Sequence, residues 1–596
     1  MDNNIEKVDL GRVDWRSSRE FFESLGEALD KLDDKDESYN FTWVGKRKCI
    51  IEAGAPINKI LRPDMEASKD FDNTKNMLIV GDNLDALKLL QESYLGKIKM
   101  IYIDPPYNTG HDFVYHDNFT IKKSDYTDNC TDEDGNILIS EDEYKENSEA
   151  NGRFHSDWLS MIYPRLKLAR NLLSDDGVIL VSIDDNEQSN LKKICDEIFG
   201  DENVETMIWN KEAEGSSGTL KQVQRFRQIH EYIILAYKNR GSVDFIKIHE
   251  ALKGRENELQ TANLAVNQEK EKMNHPNYFT ITNPSGEKFT RQWKWSKEEI
   301  DRLIKEDLVY WGSDGHKQPR LIIPTDERRT TYLLSILNYG GTTAGRKDFE
   351  NLMGDKIEFS YPKPIILMKK LLGTTTDNDS ICLDFFAGSG TTGHAVMDLN
   401  AEDGGRRQYI CVQLNEKTDE KSEAKKAGYD TIDQITAERL RRAGEKIKYE
   451  HPDVDIDTGF RVFRVDGSNE NEDIRKPLNQ INQSDLFGAI DNVKKDRTPL
   501  DLLFGVIYAS ALPFDLKLEA RKIGENTVYL YGYLDEGTGL VACFDDNISE
   551  ETIKEIANLK ALTVAFKDSS FADSAAKINL SEHFRIISPD TKVKVL

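Results

Sequence analysis

Six consecutive residues, Asp104-Pro105-Pro106-Tyr107-Asn108-Thr109, follow the apolar run Met100-Ile101-Tyr102-Ile103 and set a carboxylate, two rigid prolines and an aromatic ring at the end of a predicted strand. Proline fixes φ and has no backbone donor, so the pair stops the strand and leaves Asp104 and nearby carbonyls as acceptors facing a cleft. A planar ring bearing an amino group matches this set, with its N–H groups toward the acceptors and its face against Tyr107. A proline turn after a strand can also be only a turn, so the reading needs a second element.

That element lies far downstream. Leu383-Asp384-Phe385-Phe386-Ala387-Gly388-Ser389-Gly390-Thr391-Thr392-Gly393 follows Ser380-Ile381-Cys382 and precedes a helical stretch from His394. Strand, glycine turn and helix make a nucleotide-type cradle, in which Gly388 and Gly390 let the backbone approach a ligand and the turn's amides face an anionic group. The next predicted strand, Gln408 to Leu414, ends near Glu416, an acidic side chain placed to accept hydrogen bonds from ribose hydroxyls. No Gly-x-x-x-x-Gly-Lys-Ser/Thr loop is present, which disfavours triphosphate chemistry.

Asp104-Pro105-Pro106-Tyr107 preceding Phe386-Ala387-Gly388-Ser389-Gly390 resembles the β-order amino-methyltransferases of DNA, in which the catalytic motif comes before the S-adenosylmethionine motif. Gly81-Asp82-Asn83-Leu84-Asp85-Ala86-Leu87, Phe154-His155-Ser156-Asp157-Trp158 and Tyr361-Pro362-Lys363-Pro364 look like further pieces of that pattern, which together span residues 39 to 450. The long amino-terminal lead, the large insert and the tail ending Phe566 to Asp573 resemble the modification subunit of type III restriction-modification systems. Asn415 departs from the pattern where a proline is expected, which loosens the assignment of Glu416.

The resemblance implies an adenine-N6 methyltransferase using S-adenosylmethionine. Asp104, Pro105, Pro106 and Tyr107 would be catalytic; Asp82, Lys363, Asp384, Phe386, Gly388, Gly390, Thr391 and Glu416 would hold the cofactor, with Lys363 shaping the methionine pocket. It further implies double-stranded DNA as substrate, a homodimer, and a helicase-nuclease as partner. A DNA-reading subunit without chemistry, a stand-alone regulatory enzyme and a cytosine-N4 target remain the alternatives.

The implied fold is α/β, a doubly wound, mostly parallel seven-stranded methyltransferase sheet with an inserted DNA-recognition domain and a C-terminal α+β domain. The expected divisions are an accessory segment at 1–70, a catalytic half at 71–239, a target-recognition insert at 240–350, a cofactor half at 351–450 and a docking domain at 451–596. Predicted strands at 78–80, 98–103, 178–183 and 232–237, alternating with helical stripes at 84–90 and 158–172, support a parallel sheet. Residues 17 to 32 follow helical spacing and read as an accessory helix.

At 596 residues the chain is too long for one compact core. No run of about eighteen apolar residues occurs, and Met1-Asp2-Asn3-Asn4 is not a basic, apolar leader, so a soluble cytoplasmic protein without membrane contact is expected. The six cysteines show no Cys-x-x-Cys spacing and no zinc-type pairing with histidine, so reduced buried thiols and no metal are expected. A cytosine carbon-5 mechanism needs an activated thiolate, and none is placed for it.

A net charge of −26 argues against nucleic acid as a whole-chain partner. Its distribution argues otherwise: from Met207 to Glu350 there are 23 Lys and Arg against 20 Asp and Glu, so the insert is the basic part of an acidic chain. Within it Arg291, Lys294, Arg320, Arg328 and Arg329 are candidate DNA contacts, interleaved with Trp293, Trp295 and Trp311, which read as core more than as stacking platform. Between His116 and His155, eleven acidic residues face four basic ones; this stretch is either a loop closing over a base or a solvated insertion. Its Asp132, Asp134, Gly135 and Glu141 mimic a calcium loop, but Cys130 stands at the first ligand position.

Overall fold

The computed structural model describes residues 41–110, 113–115, 144–146, 153–212, 228–249, 261–323, 330–354, 357, 359, 361–418, 421–470, 493–571 and 574–596. The helix expected at 17–32, the calcium-loop mimic and most of the acidic stretch lie outside these residues.

Two compact units result, one from residues 1–244 with 335–596 and the other from Phe245–Leu334. The first is built on a ten-stranded sheet. In chain order its strands are β1 (Lys59–Lys69), β2 (Met77–Val80), β3 (Ile98–Ile103), β4 (Leu173–Ile183), β5 (Val204–Asn210), β6 (His230–Tyr237), β7 (Ile336–Leu337), β8 (Ile381–Asp384), β9 (Gln408–Gln413) and β10 (Phe460–Gly467). Their spatial order is β1-β10-β2-β9-β8-β3-β4-β6-β5-β7. From β10 to β4 all pairings are parallel, while β6 runs antiparallel to both β4 and β5.

Parallel strands covered on both faces need continuous apolar runs, and β2 and β3 supply them: all of Met77–Val80 is buried, as is every residue of β3 except Lys99. Burying each of these large side chains contributes about 1.5–3 kcal/mol. The sheet exceeds the seven strands expected. A block of seven, β2-β9-β8-β3-β4-β6-β5, is extended by β10 and β1 on one side and by β7 on the other. Asp175-Asp176-Gly177, between the helical stripe at 158–172 and the strand predicted at 178–183, falls within β4, where pairing with β3 shifts register between Leu173 and Val178.

The helices that matter for the site are α1 (Asn83–Tyr94), α2 (Phe154–Leu172), α3 (Gln188–Phe199), α4 (Thr342–Met353), α5 (Ile365–Thr375), α6 (Thr391–Asp403) and α7 (Ile432–Glu450). Asp82 caps α1 by accepting from the Leu84 and Asp85 amides at 2.8 and 3.1 Å, which satisfies two orphan donors of the first turn. Among the described residues no helix is long and apolar enough to cross a membrane.

Two expected boundaries move. Residues 335–350 join the first unit because β7 pairs with β5 and α4 packs against α7. The segment after 450 is not separate either: β10 enters the main sheet, and Arg461, buried within it, donates to the carbonyls of Phe71, Phe514 and Leu516 at 2.7, 2.6 and 2.7 Å. A five-stranded sheet of Leu518–Ile523, Asn526–Tyr531, Leu540–Cys543, Thr563–Phe566 and Lys592–Val595 follows. It shares a core with the first sheet through Phe71, Phe463, Phe504, Phe514 and Tyr531.

The second unit has its own core of Leu264, Ala265, Ile281, Trp293, Ile300, Leu303 and Val309, with Trp295 and Trp311 packed against it. Trp293 is buried and its indole donates to the Phe279 carbonyl at 2.8 Å, so the tryptophan is structural.

Candidate active site

Adjacent central strands β8 and β3 carry the two motifs. Leu383 pairs with Ile101, so the chain leaves the same edge of the sheet at Asp384 and at Asp104. A cavity of about 760 Å³ opens there, lined by Asp104, Pro105, Pro106 and Tyr107 from one motif and by Phe385, Phe386 and Gly388 from the other. Gln413 at the end of β9 and Leu414 and Glu416 after it add to its wall, as do Trp209, Lys211, Glu231, Tyr361 and Lys363. A space of this size takes a nucleoside-sized ligand.

The first motif is pinned from behind. Asn108 adopts φ 60° and its amide donates to Glu187 Oε1 at 2.6 Å and to the Phe154 carbonyl at 3.3 Å. Glu187 is fully buried and is also 2.6 Å from His155 Nδ1. The Trp158 indole donates to the Pro106 carbonyl at 2.7 Å. The turn is therefore held by α2 and by the residue that precedes α3, with the Asp104 carboxylate left at the cavity side.

That carboxylate is paired. Lys363 Nζ donates to Asp104 Oδ2 at 2.6 Å and to Tyr107 Oη at 2.9 Å. Tyr107 Oη lies within donor reach of both Asp104 Oδ1 at 2.8 Å and Glu231 Oε2 at 3.1 Å, and has one proton to give. Burial, with the charges of Asp104 and Glu231 beside it, pushes the Tyr107 phenol well above its ordinary pKa and keeps it neutral.

The glycine turn is equally constrained. Gly388 has φ 52°, its amide donates to Gln413 Oε1 at 2.7 Å, and a β-carbon there would lie 3.4 Å from Phe359 Cζ. Gly390 has φ 81° and precedes α6. Behind the turn, the buried Arg439 guanidinium donates to the hydroxyls of Ser389 and Thr391. Asp384 accepts from Thr392 Oγ1 and from the Phe386 amide; burial outweighs these bonds and raises its carboxyl to about 7. Asn83 Nδ2 ties α1 to the turn through the Phe385 carbonyl at 2.9 Å.

A family model described as DNA methylase matches residues 98–425. The Mod subunit of the type III restriction-modification enzyme StyLTI from Salmonella typhimurium is 35% identical over 449 residues, covering 73% of this chain and 67% of that one. The EcoP15I Mod subunit of Escherichia coli is 33% identical, with 72% and 71% covered, and the EcoPI Mod subunit of Escherichia phage P1 is 34% identical, with 69% of each covered. The chain belongs to the N6/N4 DNA methylase family. S-adenosylmethionine is the cofactor of this family, and the cavity suits it: glycine at φ 52° gives backbone access and Glu416 gives an acceptor at the end of β9. The surrounding protein raises the Glu416 carboxyl although the side chain is solvent-exposed at the rim.

In the methylase, not every expected cofactor residue reaches the cavity. Phe386, Gly388, Glu416 and Lys363 line it. Asp384, Gly390 and Thr391 shape the turn from beneath, and Asp82 is occupied as the α1 cap and by Arg165 Nη2 at 3.2 Å. Lys363, expected to shape a methionine pocket, bonds to Asp104 and Tyr107 of the first motif and lines the cavity. Sequence reasoning missed Glu231, Lys211 and Trp209. Glu231 is the second residue of β6 and Trp209 the last but one of β5, and only their position at the sheet's carboxyl edge marks them.

The expected DNA contacts divide. Arg291 is committed inside its own unit, paired with Glu271 and donating to Gln318 Oε1 at 3.1 Å and the Val266 carbonyl at 3.2 Å. Lys294 and Arg320 are exposed, the latter with its Nε on Thr261 Oγ1 at 2.7 Å. Arg328 and Arg329 lie outside the described residues. The thiols at 49, 195, 382, 411 and 543 are buried; burial raises Cys382 to about 12, which makes it a packing group. Among the described residues no cluster of acidic, histidine or cysteine side chains is placed to hold a metal.

Proposed function

We propose that this methylase is the modification and sequence-reading subunit of a type III restriction-modification system and that it methylates N6 of an adenine everted from double-stranded DNA. The observation carrying this reading is the single cavity lined by both Asp104–Tyr107 and Phe386–Gly388. Three Mod subunits similar over two thirds or more of their length support the type III assignment.

Bound in the cavity, S-adenosylmethionine supplies an electrophilic methyl group on a sulfonium sulfur. Phe386 and Gly388 would pack against its amino-acid portion and Glu416 would accept from its ribose; the amides of Phe386, Ala387, Gly388 and Gly390 are bonded within the protein and are not donors to it. Adenine's exocyclic nitrogen is a weak nucleophile because its lone pair is delocalised into the ring. Asp104 and the Pro105 carbonyl would accept hydrogen bonds from its two N–H groups, which favours a pyramidal nitrogen; Asp104 stabilises the positive charge that develops there as the nitrogen–methyl bond forms and the sulfur–methyl bond breaks, and one proton leaves the nitrogen after transfer. Tyr107 stacks on the base and offsets part of the few kcal/mol that unstacking costs. Aspartate at position 104 favours adenine, since the resemblance links serine there to cytosine-N4 enzymes. Lys294 and Arg320, both exposed, would contact phosphates, and the partners would be DNA, a second copy of the chain and a helicase-nuclease.

Mass spectrometry of nucleosides from DNA treated with the purified protein and S-adenosylmethionine tests this. N6-methyladenine is expected; N4-methylcytosine would overturn the target base, and unmethylated DNA would overturn the activity.

A further inference from the structure

Lys363 is only 7% exposed, and a buried ammonium persists only with hydrogen-bonded counter-charges. Two carboxylates are in reach, Asp104 Oδ2 at 2.6 Å and Glu231 Oε2 at 3.9 Å. An ammonium offers the same N–H chemistry as the amine that Asp104 is there to accept. It therefore occupies the acceptor the reaction needs, and its charge opposes the positive charge that must develop on the target nitrogen. Asp104, Glu231, Lys363 and Lys211, whose Nζ is 3.5 Å from Glu231 Oε1, form a self-neutralised quartet.

We propose that Lys363 is a positioning residue that holds the amine-accepting side of Asp104 until the base arrives and then shifts its ammonium to Glu231. The inference rests on the amine-methylation reading above and adds what must move for it to occur. The backbone cannot be what moves. Pro362 and Pro364 flank Lys363, Pro364 caps α5, and α4 packs so closely that a β-carbon on Gly345 would lie 2.0 Å from the Pro362 carbonyl. Rotation of the four-carbon side chain suffices. The path is lined for a cation: Tyr107 Oη touches both carboxylates, and Nζ lies 5.2 Å from the Tyr107 ring centre and 5.7 Å from that of Trp209. Glu231 is anchored on β6, with Oε1 toward Lys211 and Oε2 toward Tyr107.

The test is a double-mutant cycle read with a duplex carrying 2-aminopurine immediately beside the target adenine, whose fluorescence rises when that adenine leaves the stack, together with kcat and S-adenosylmethionine affinity. Glu231→Gln, which removes the second seat, is expected to lower the extrusion signal and kcat by about tenfold or more. Lys363→Met is expected to raise the extrusion signal and to restore it in the Glu231→Gln background, a non-additivity on the order of tenfold. Lys363→Arg, which keeps a cation pinned on Asp104, is expected to lower it, whereas a merely structural lysine would be rescued by arginine. Unchanged cofactor affinity serves as the folding control. A double variant no better than Glu231→Gln, or a Lys363→Met signal below wild type, overturns the proposal. Wild-type protein that methylates no DNA amine would instead overturn the reading on which it rests.

Discussion

The cavity at the sheet's carboxyl edge and the inserted unit hold charged side chains in opposite ways. At the cavity, Asp104, Lys363, Tyr107 and Glu231 converge from β3, β6 and the segment before α5, and each is bonded to another across 124 to 259 positions of sequence. In the insert, Arg291 is consumed by internal partners and the tryptophans by the core, while Lys294 and Arg320 face solvent. On the proposed function the first is the reaction site and the second a surface acting through charge: substitutions in the first should alter chemistry, and substitutions of exposed cations in the second should alter salt dependence.

The largest effect should come from Asp104→Ala. Methyl transfer is expected to fall by about three orders of magnitude, within the range for removing a positioned proton acceptor and a charge-stabilising group, while calorimetry shows cofactor affinity changed by less than about threefold. Next is Gly388→Val. A branched side chain at φ 52° costs roughly 1–2 kcal/mol and meets Phe359, so the Kd for S-adenosylmethionine should rise about tenfold.

A third expectation concerns pH. Burial raises Asp384 to about 7 from an ordinary value of 3.8, so the folded protein retains a proton that the unfolded chain releases. Relative to Asp384→Asn, the native aspartate is at its best below pH 3.8 and loses stability as pH rises toward 7, then levels off. Melting temperatures of the two proteins from pH 4 to 8 check this; a gap of the opposite slope would remove the buried-carboxyl account.

The insert gives the smallest changes and the sharpest contrast. Arg291→Met should destabilise its unit by about 1–3 kcal/mol through the stranded Glu271 while leaving the salt slope of DNA binding unchanged. Lys294→Ala and Arg320→Ala should leave stability within about 0.5 kcal/mol and each reduce the salt slope by about one. If Arg291 changes the slope and the exposed pair does not, the division between the two regions fails.

Much of this was legible from the chain because local chemistry decides it. Ile98–Ile103 is an apolar run ended by two prolines, and the strand occupies those residues; likewise the glycine turn sits between β8 and α6. What escaped is long-range. Lys363 pairs with a residue 259 positions away, so the segment around it could suggest a pocket but not which pocket. Asp82 also caps α1, a role that an acidic residue before a helix takes whatever else it does, and its bond to Arg165, 83 positions away, could not be read from the chain. The two-residue β7 is too short to leave a pattern, and β1 pairs with β10 across about four hundred residues. Glu231 is the second residue of a strand, where an acidic residue looks like a solvated end.

The claim that one cavity serves both the methyl donor and the amine is most directly tested by calorimetry with a bisubstrate compound, in which N6 of adenine is tethered by a short alkyl chain to the donor's nucleoside. It should bind at a single site per chain, with affinity lowered by Asp104→Ala and separately by Gly388→Val. Binding weakened by Gly388→Val but indifferent to Asp104→Ala would mean that the adenine half never reaches the first motif, and the shared-cavity account would be wrong.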